Sequence, residues 1–311
     1  MKMSEKIATR DAYGNALAEF GEKYDFVVLD ADLAAATKTC NFKKIFPDRF
    51  FNCGIAEGNM MSVAAGIAAT GQLVFASSFA MFAAGRAYEQ VRNSIGYPHL
   101  NVKIGATHAG ITVGEDGATH QCNEDLALMR TIPGMTVICP ADAVSARAAV
   151  EAAILTNGPM YLRFGRAPMP VIYDKDTYKF EIGKGRVLAD GKDITLVATG
   201  ITVSMALEAR EMLKNDGIDA AVIDISTIKP IDTELLCEYA RKTGKIVTSE
   251  EHSIIGGLGG AVCEALAENC PVPVKRVGIR DTFGSSGKAL EVAEAYGICA
   301  KNIYETAKTM L

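Results

Sequence analysis

The stretch Gly54-Ile55-Ala56-Glu57-Gly58-Asn59-Met60 opens the part of the chain that decides the fold. From Gly58 to Gly85 no residue carries a formal charge. Such a run predicts a buried passage of helix, strand and helix. Because Ala and Gly dominate it and the turn Thr70-Gly71-Gln72 interrupts it, we do not expect a membrane span here.

Glu57 is the lone carboxylate of this region, and two interpretations of it are open. Acidic side chains are common at helix starts, where the helix dipole stabilises them. A buried carboxylate is costly unless a partner stabilises it. Glu57 therefore also fits a functional carboxyl that exchanges a proton with a ring nitrogen of a ligand, and the residues downstream favour this second interpretation.

Length and composition exclude several classes of protein. The 311 residues suffice for two domains, and a net charge of −5 favours neither nucleic acid nor an anionic membrane as a partner. The eight cysteines are scattered without a CxxC pair, so we expect reduced thiols in a cytoplasmic protein and no zinc site. The N-terminal residues show no signal-peptide pattern.

Short apolar runs alternate with helical patterns through the first half of the chain. The runs predict strands at Phe26–Leu29, Leu73–Phe75, Val102–Ile104 and Thr136–Ile138. The patterns between them predict helices over 5–22, 57–70, 82–95 and 142–156. This alternation is typical of a parallel sheet with helices on both faces, and we assign residues 1–165 to a doubly wound α/β domain.

A polar, proline-containing segment predicts a linker over residues 166–185, and a smaller α/β domain follows over 186–311. Its strands are predicted at Ile194–Ala198, Ala220–Ile223, Lys245–Thr248 and Val274–Val277. Its helices are predicted over 201–214, 233–242, 258–268 and 289–307.

Two histidines bracket a glycine-rich loop that follows a predicted strand. His108 comes directly after the strand, and His120 closes the loop. Polar residues beyond the carboxyl ends of parallel strands are where α/β sheets bind ligands. The spacing of the pair matches no short metal-ligand motif. The alternative is a surface loop with two ordinary histidines.

Phe79 and Phe82 stand at helical spacing, so their rings can share a face. An aromatic pair of this kind is commonly part of an apolar core. Its functional alternative is a flat apolar slot for a planar heterocycle.

Together, these motifs resemble the C-terminal half of a transketolase. The resemblance is carried by Gly54–Met60, Phe79–Gly85 and His108–Gln121, and it extends over essentially the whole chain. The run Gly114-Glu115-Asp116-Gly117-Ala118-Thr119-His120-Gln121 is its most specific part. By this resemblance, a thiamine-diphosphate-binding domain of the pyrimidine type is followed by the smaller transketolase C-terminal domain.

The resemblance also implies a partner. The family's diphosphate-binding domain carries a Gly-Asp-Gly run, which this sequence lacks, and too little chain precedes Asp32 to hold that domain. The chain therefore resembles the C-terminal subunit of a split transketolase of the pentose phosphate pathway. An N-terminal subunit would bind the diphosphate with Mg²⁺ or Ca²⁺, this chain would hold no metal, and two copies of each would form a heterotetramer.

The family's functional residues carry over onto matching positions of this chain. The resemblance implies that Glu57 faces the aminopyrimidine of the cofactor and that Glu57 and His120 are catalytic. Further cofactor contacts would be Ile55, Asp32, Phe79 and Phe82.

Substrate contacts follow from the same resemblance. His120 and Asp116 would contact the hydroxyls of the donor sugar. His108 and Arg163 would contact the phosphate of a sugar phosphate, with Arg166 as a competitor for the second contact.

Other interpretations stay open. The chain could be the C-terminal half of a deoxyxylulose-phosphate synthase, or the β subunit of a 2-oxo acid dehydrogenase. The run Ala106-Thr107-His108 argues against both relatives. A non-catalytic binding module of the same fold is a further alternative. The joint retention of Glu57, Asp116 and His120 argues against it.

Overall fold

A computed structural model describes residues 5–311, and the first half of these residues forms an α/β unit. Its strands are β1 (Lys6–Ile7), β2 (Val27–Asp30), β3 (Phe50–Asn52), β4 (Val74–Phe79), β5 (Val102–Thr107), β6 (Thr136–Ile138) and β7 (Met160–Arg163). Its α-helices are α1 (Thr9–Phe20), α2 (Ala34–Thr37), α3 (Cys40–Ile45), α4 (Glu57–Ala68), α5 (Tyr88–Gln90), α6 (Asp125–Arg130) and α7 (Ala143–Leu155). Wider π-type turns over Met81–Arg86 and Val91–Gly96 flank α5, where one regular helix was predicted.

The second half forms a smaller α/β unit. Its strands, together with one in the connecting segment, are β8 (Met169–Pro170), β9 (Arg186–Ala189), β10 (Ile194–Ala198), β11 (Ala220–Asp224), β12 (Thr227–Lys229), β13 (Ile246–Ser253) and β14 (Val274–Ile279). Its helices are α8 (Thr202–Asn215), α9 (Thr233–Thr243), α10 (Leu258–Asn269), α11 (Ala289–Ala295) and α12 (Ala300–Lys308).

The main sheet has seven strands in the order β12-β6-β7-β5-β4-β2-β3, and only the β12–β6 pair is antiparallel. Strands β4 and β5 are buried along their whole length, as strands covered on both faces must be. All four strands predicted for the first half are present. Because their parallel pairing brings the carboxyl ends to one edge, the residues that follow β2, β4 and β5 meet there.

The second sheet has five strands in the order β14-β13-β10-β11-β9, with β9 antiparallel to its neighbour and the other pairs parallel. Strands β1 and β8 form a separate antiparallel pair of two residues each. The prediction of a two-domain α/β protein built on parallel sheets is confirmed.

Three strands of the main sheet were not predicted, namely β3, β7 and β12. Strand β7 contains only three apolar residues before Arg163, and the run that follows it contains Gly165 and Pro168, which hid its periodicity. Strand β12 is a three-residue segment of the second half that pairs with β6 of the first. Such pairing depends on the packing of the two halves, which local sequence patterns do not report.

The helix predicted over 289–307 is instead two helices, α11 and α12. Gly297 lies between them with a φ of 78°. A positive φ of this size lies outside the right-handed helical region and favours glycine. The chain then restarts α12 from an extended Cys299.

One apolar core spans both halves of the chain. A single cluster of buried side chains joins Met60 and Val91 of the first half to Leu258 and Val262 of the second. The two halves therefore pack as one body, with the edge of the main sheet fixed against the second unit. Within residues 5–311, no helix combines the length and the apolar character needed to cross a membrane.

The segment between the two units is fastened to both of them. The backbone N–H groups of Ile172 and Tyr173 donate to Asp142 Oδ2 at 2.8 and 3.0 Å. The Tyr173 hydroxyl donates to Asp224 Oδ2 at 2.6 Å. Asp142 belongs to the first unit and Asp224 to the second, so two buried carboxyl groups hold the connection in place.

The carboxyl of Asp224 should make this connection pH-dependent. Burial raises the pKa of Asp224 to about 7, so the folded state takes up a proton at a pH where the unfolded state is still ionised. As the pH falls from 8 to 5, the wild type should gain roughly 1–4 kcal/mol of unfolding free energy relative to Asp224→Asn, which cannot ionise. Urea denaturation of both proteins at several pH values measures this difference.

Asp216→Asn serves as the control for this titration. Asp216 is an exposed carboxylate, and its hydrogen bond with Lys308 lowers its pKa. Its difference from the wild type should be flat above pH 5 and shrink only at lower pH. An Asp224→Asn difference that is equally flat between pH 8 and 5 would contradict the assignment.

Candidate active site

The candidate site lies at the carboxyl edge of the main sheet, where β4 and β5 end side by side. Phe79 and Thr107 are partners in the register of these strands, and His108 follows directly. The Phe79 ring stacks on the His108 imidazole with centroids 3.8 Å apart. The topology of the sheet thus brings together two predicted residues that are far apart in the sequence.

An aromatic group forms around Phe79. The rings of Phe79 and Phe82 are nearly parallel, at an interplanar angle of 13° and a centroid distance of 5.9 Å. The His120 imidazole stands edge-on to Phe82 at 5.4 Å. The glycine-rich loop therefore begins and ends at the same pair of phenylalanines. We call Phe79, Phe82, His108 and His120 the aromatic group.

Glu57 lies beside this group at the start of α4. Its side chain is only 2% exposed, and Arg86 Nη1 contacts its two carboxylate oxygens at 3.0 and 3.2 Å. The Arg86 guanidinium also lies over the Phe82 ring at 4.6 Å, while its side chain is half exposed. Glu57 is thus a buried carboxylate beside a flat apolar surface. Its partner, Arg86, is a long side chain whose end reaches solvent.

The partnership of Arg86 was not predicted from the sequence. The available signal was its position, because Arg86 is the first charged residue after the uncharged run that Glu57 precedes. A buried carboxylate needs a partner, and the nearest cation along the chain was the natural candidate.

His108 has a defined hydrogen-bonding role. Arg10 Nη1 lies 2.7 Å from His108 Nε2, and His108 Nδ1 lies 2.9 Å from the Thr107 hydroxyl. Because a guanidinium only donates, Nε2 accepts and Nδ1 carries the proton. Burial lowers the pKa of His108 to about 3, and the neighbouring charge of Arg10 acts in the same direction. His108 is therefore a neutral imidazole that orients Arg10.

Further cationic side chains act on His108 through their charges. Besides Arg10, the charges of Arg166 and Lys38 also lower the pKa of His108. Arg166 is about one-third exposed and contacts the Val113 carbonyl. We call Arg10, Lys38 and Arg166 the cationic cluster. Arg10 lies 98 residues from His108 along the chain, so local sequence patterns do not predict this contact.

Arg163, which the resemblance assigns to a substrate phosphate, lies in the interior of the chain, and its contact with a substrate stays a prediction. Its side chain is 5% exposed, with Nε donating to Asp125 Oδ2 at 2.9 Å and Nη2 donating to the Glu251 carbonyl at 2.8 Å. The guanidinium is committed to these interior partners behind the site. The competing residue, Arg166, lies in the cationic cluster instead.

Three further predicted residues are exposed at the same edge of the sheet. Asp32 follows β2 and exchanges hydrogen bonds with Asn52 at 2.8 and 3.1 Å. Ile55 is 78% exposed ahead of α4, and Asp116 is exposed in the loop after β5. Their contacts with a cofactor or substrate stay predictions.

A cavity of about 880 Å³ opens next to the aromatic group, and both halves of the chain line it. From the first half come Phe82, Arg86 and Thr119, and from the second come Ser253 and Phe283. Among residues 5–311, no cluster of three or more His, Cys, Asp or Glu side chains is arranged to hold a metal ion. The site thus offers a buried acid, flat apolar rings and a cationic end.

Comparisons with known proteins agree with this geometry. Residues 5–170 match the family model of the transketolase pyrimidine-binding domain, and residues 183–303 match that of the transketolase C-terminal domain. A putative transketolase C-terminal section from Methanocaldococcus jannaschii is 52% identical over 306 residues, covering 96% of each chain. A 6-deoxy-6-sulfo-D-fructose transketolase subunit from a Clostridium species is 45% identical, covering 96% of this chain and 92% of the relative.

A solved structure agrees as well. A split gene transketolase, an inactive β4 tetramer, superimposes with a TM-score of 0.91 at 54% identity, covering 97% of this chain and 98% of the other. The fold and the site thus define a pyrimidine-type thiamine-diphosphate domain joined to a transketolase C-terminal domain. Within that class, the chain belongs to the transketolase family and corresponds to the C-terminal section of a split transketolase.

Because Arg163 is buried and Arg166 is partly exposed, their replacement should lower the free energy of unfolding by different amounts. Arg163→Ala leaves Asp125 buried without its partner and should lower the free energy of unfolding by roughly 3–5 kcal/mol. Arg166→Ala removes a partly exposed ion pair with Glu115 and should cost less than about 1 kcal/mol. Urea denaturation of the two variants checks the order, and equal losses would place both arginines in similar surroundings.

Proposed function

We propose that this chain is the cofactor-activating subunit of a transketolase that moves a two-carbon ketol unit from a ketose phosphate to an aldose phosphate. The observation that carries the proposal is the buried carboxylate of Glu57 beside the parallel rings of Phe79 and Phe82. Membership of the transketolase family implies thiamine diphosphate as the cofactor. The cytoplasm and the pentose phosphate pathway are the setting that we propose for it.

The residues of the site fit the aminopyrimidine of that cofactor. Phe79 and Phe82 present a flat apolar surface on which a planar ring can stack. Glu57 is buried next to that surface, so its carboxyl can hold a proton at a ring nitrogen away from water. Ile55 and Asp32 would complete the cofactor contacts at the exposed edge. When bound, thiamine diphosphate supplies the stabilisation of negative charge on carbon that ketol transfer requires.

Arg86 has a role in keeping the site stable before the cofactor binds. Its guanidinium neutralises the buried charge of Glu57 and covers Phe82. Because its side chain is half exposed, it can move into solvent without breaking the core. The carboxyl of Glu57 is then available to the pyrimidine nitrogen, and the face of Phe82 is uncovered.

The opposite end of the site suits the anionic end of a sugar. Arg10, Lys38 and Arg166 lie around a neutral His108, and guanidinium groups match phosphate geometry. A relative named for a sulfo sugar supports recognition of an anionic terminus. His120 stands edge-on to Phe82. From there it and Asp116 would contact the hydroxyls of the donor sugar, and His120 would move protons.

We further propose that the chain works with a second kind of subunit. That N-terminal subunit would bind the diphosphate through Mg²⁺ or Ca²⁺. The exposed side chains of Ile55 and Phe51 at the site edge give an apolar surface for a subunit contact. The solved inactive tetramer of a split transketolase supports self-association without activity. Two copies of each subunit, related by a two-fold contact, form the proposed heterotetramer.

Glu57→Gln tests the function directly. Gln keeps the volume of the side chain but has no acidic proton, so ketol transfer by the reconstituted enzyme should fall by roughly 10²–10⁴-fold. Exchange of the cofactor's C2 proton, followed by quenched-flow NMR, should slow in the same range. The chain without its partner should show neither activity nor tight cofactor binding by calorimetry.

The rate of C2-proton exchange in Glu57→Gln, relative to the wild-type rate, decides between the two roles of Glu57. If Glu57→Gln in the assembled enzyme exchanges the C2 proton within a few-fold of wild type, then Glu57 is only the first residue of a helix. Tight Mg²⁺-dependent cofactor binding by the isolated chain would contradict the proposed partner.

The cationic cluster predicts a second kinetic effect. Arg166→Ala removes a charge-assisted hydrogen-bond donor, so the KM for a phosphorylated ketose should rise roughly 10- to 100-fold with kcat changed only a few-fold. The KM for a ketol donor without an anionic group should stay at its wild-type value. Steady-state kinetics of the reconstituted enzyme with both donors measures the difference, and an equal change for both donors would refute phosphate recognition by Arg166.

A further inference from the structure

The glycine-rich loop that carries His108 and His120 is held by the second half of the chain. The carboxylate of Glu251, at 3% exposure, accepts a hydrogen bond from the backbone N–H of Thr112 at 2.6 Å. Gly110 lies so close to this carboxylate that a Cβ added there would meet Glu251 Cδ at 2.5 Å. The loop backbone therefore rests directly on the Glu251 side chain.

The far part of the loop makes a second set of contacts with the same half. Gln121 Nε2 donates to the Ser285 carbonyl at 2.9 Å and to the Ile111 carbonyl at 3.0 Å. A Cβ added at Gly117 would collide with the Ser286 hydroxyl, and one added at Gly114 would lie 3.1 Å from the Gly287 carbonyl. Three loop glycines with positive φ thus each face the second half.

Glu251 is itself rigidly placed. Arg163 Nη2 donates to its backbone carbonyl at 2.8 Å, while Arg163 Nε is bound to Asp125 at the start of α6. The position of Glu251 is therefore fixed relative to β7 of the main sheet. A substitution that removes its carboxylate should therefore disturb the loop, while the backbone of β13 stays held by Arg163.

We propose that Glu251 is a positioning residue for the substrate-binding loop, and that the second half of the chain serves as the template on which this loop is held. The inference rests on the proposed function for its kinetic part. By binding the Thr112 N–H, Glu251 fixes the backbone between His108 and His120. The two imidazoles then stay against Phe79 and Phe82, in the positions from which they would face the sugar.

Glu250 provides a matched control. It is the neighbouring buried glutamate of β13, but its carboxylate accepts from the N–H groups of Leu258 and Gly259 at 2.6 and 2.8 Å, at the start of α10. Replacement of Glu250 by Ala removes a buried carboxylate of the same strand without touching the loop. It reports the effect of lost stability alone.

The kinetic test uses Glu251→Ala in the reconstituted enzyme. Because the loop loses its support, the KM for the ketose donor should rise at least about tenfold and kcat should fall. Exchange of the cofactor's C2 proton should stay within about twofold of wild type, since Glu57 lies outside the loop. Glu251→Gln retains an oxygen acceptor for Thr112 and should recover most of the donor KM. Glu250→Ala should keep the wild-type KM.

A measurement on the chain without partner or substrate separates this inference from the proposed function. Hydrogen–deuterium exchange of the loop amides between residues 110 and 121 should become at least about tenfold faster in Glu251→Ala, and stay near wild type in Glu251→Gln and Glu250→Ala. Absence of ketol transfer in the wild type would refute only the proposed function. Unchanged loop exchange in Glu251→Ala, or equally fast exchange in Glu250→Ala, would overturn the positioning role.

Discussion

The buried ion pair between Arg163 and Asp125 is the interaction on which the site depends. Both side chains are at most 5% exposed, and the Tyr161 hydroxyl donates to the same Asp125 oxygen at 2.8 Å. Through the Glu251 carbonyl, Arg163 also joins the main sheet to the second sheet. An unpaired charge at this depth would be strongly destabilising. The pair therefore fixes β7 of the main sheet, the start of α6 and β13 relative to one another.

The site that this ion pair supports has two chemically different ends. Glu57 and the phenylalanine rings form one end, where a buried carboxylate lies beside flat apolar surfaces. The cationic cluster forms the other end, where Arg10, kept in place by the neutral His108, is available to an anion. His120 bridges the two ends through its edge contact with Phe82. The proposed sugar phosphate, with one reacting carbon and one anionic terminus, would match this polarity.

Much of the fold and part of the site could be predicted from the sequence. Strands such as β4 and β5 were visible because strands buried on both faces have continuous apolar runs. Their parallel pairing in the structure brings Phe79 and His108 together at one edge. The short strands β7 and β12 were hidden, since three apolar or mixed residues carry too little periodicity to be distinguished from a loop. Arg163 and Arg166 could not be separated, because the orientation of a side chain at a strand end depends on where that strand stops.

The sequence by itself determined the class of fold, the uncharged helix–strand–helix passage after Glu57, and the residues at the carboxyl ends of the strands. These features follow from hydrophobic periodicity, which acts between near neighbours in the chain. Only the tertiary structure decided which cations meet which partners: Arg86 with Glu57, Arg10 with His108, and Arg163 with Asp125 in the interior. The support of the glycine-rich loop by the second half was decided there as well. Ion pairs and close backbone contacts form between segments far apart in the sequence, so their geometry is fixed only when the two halves pack together.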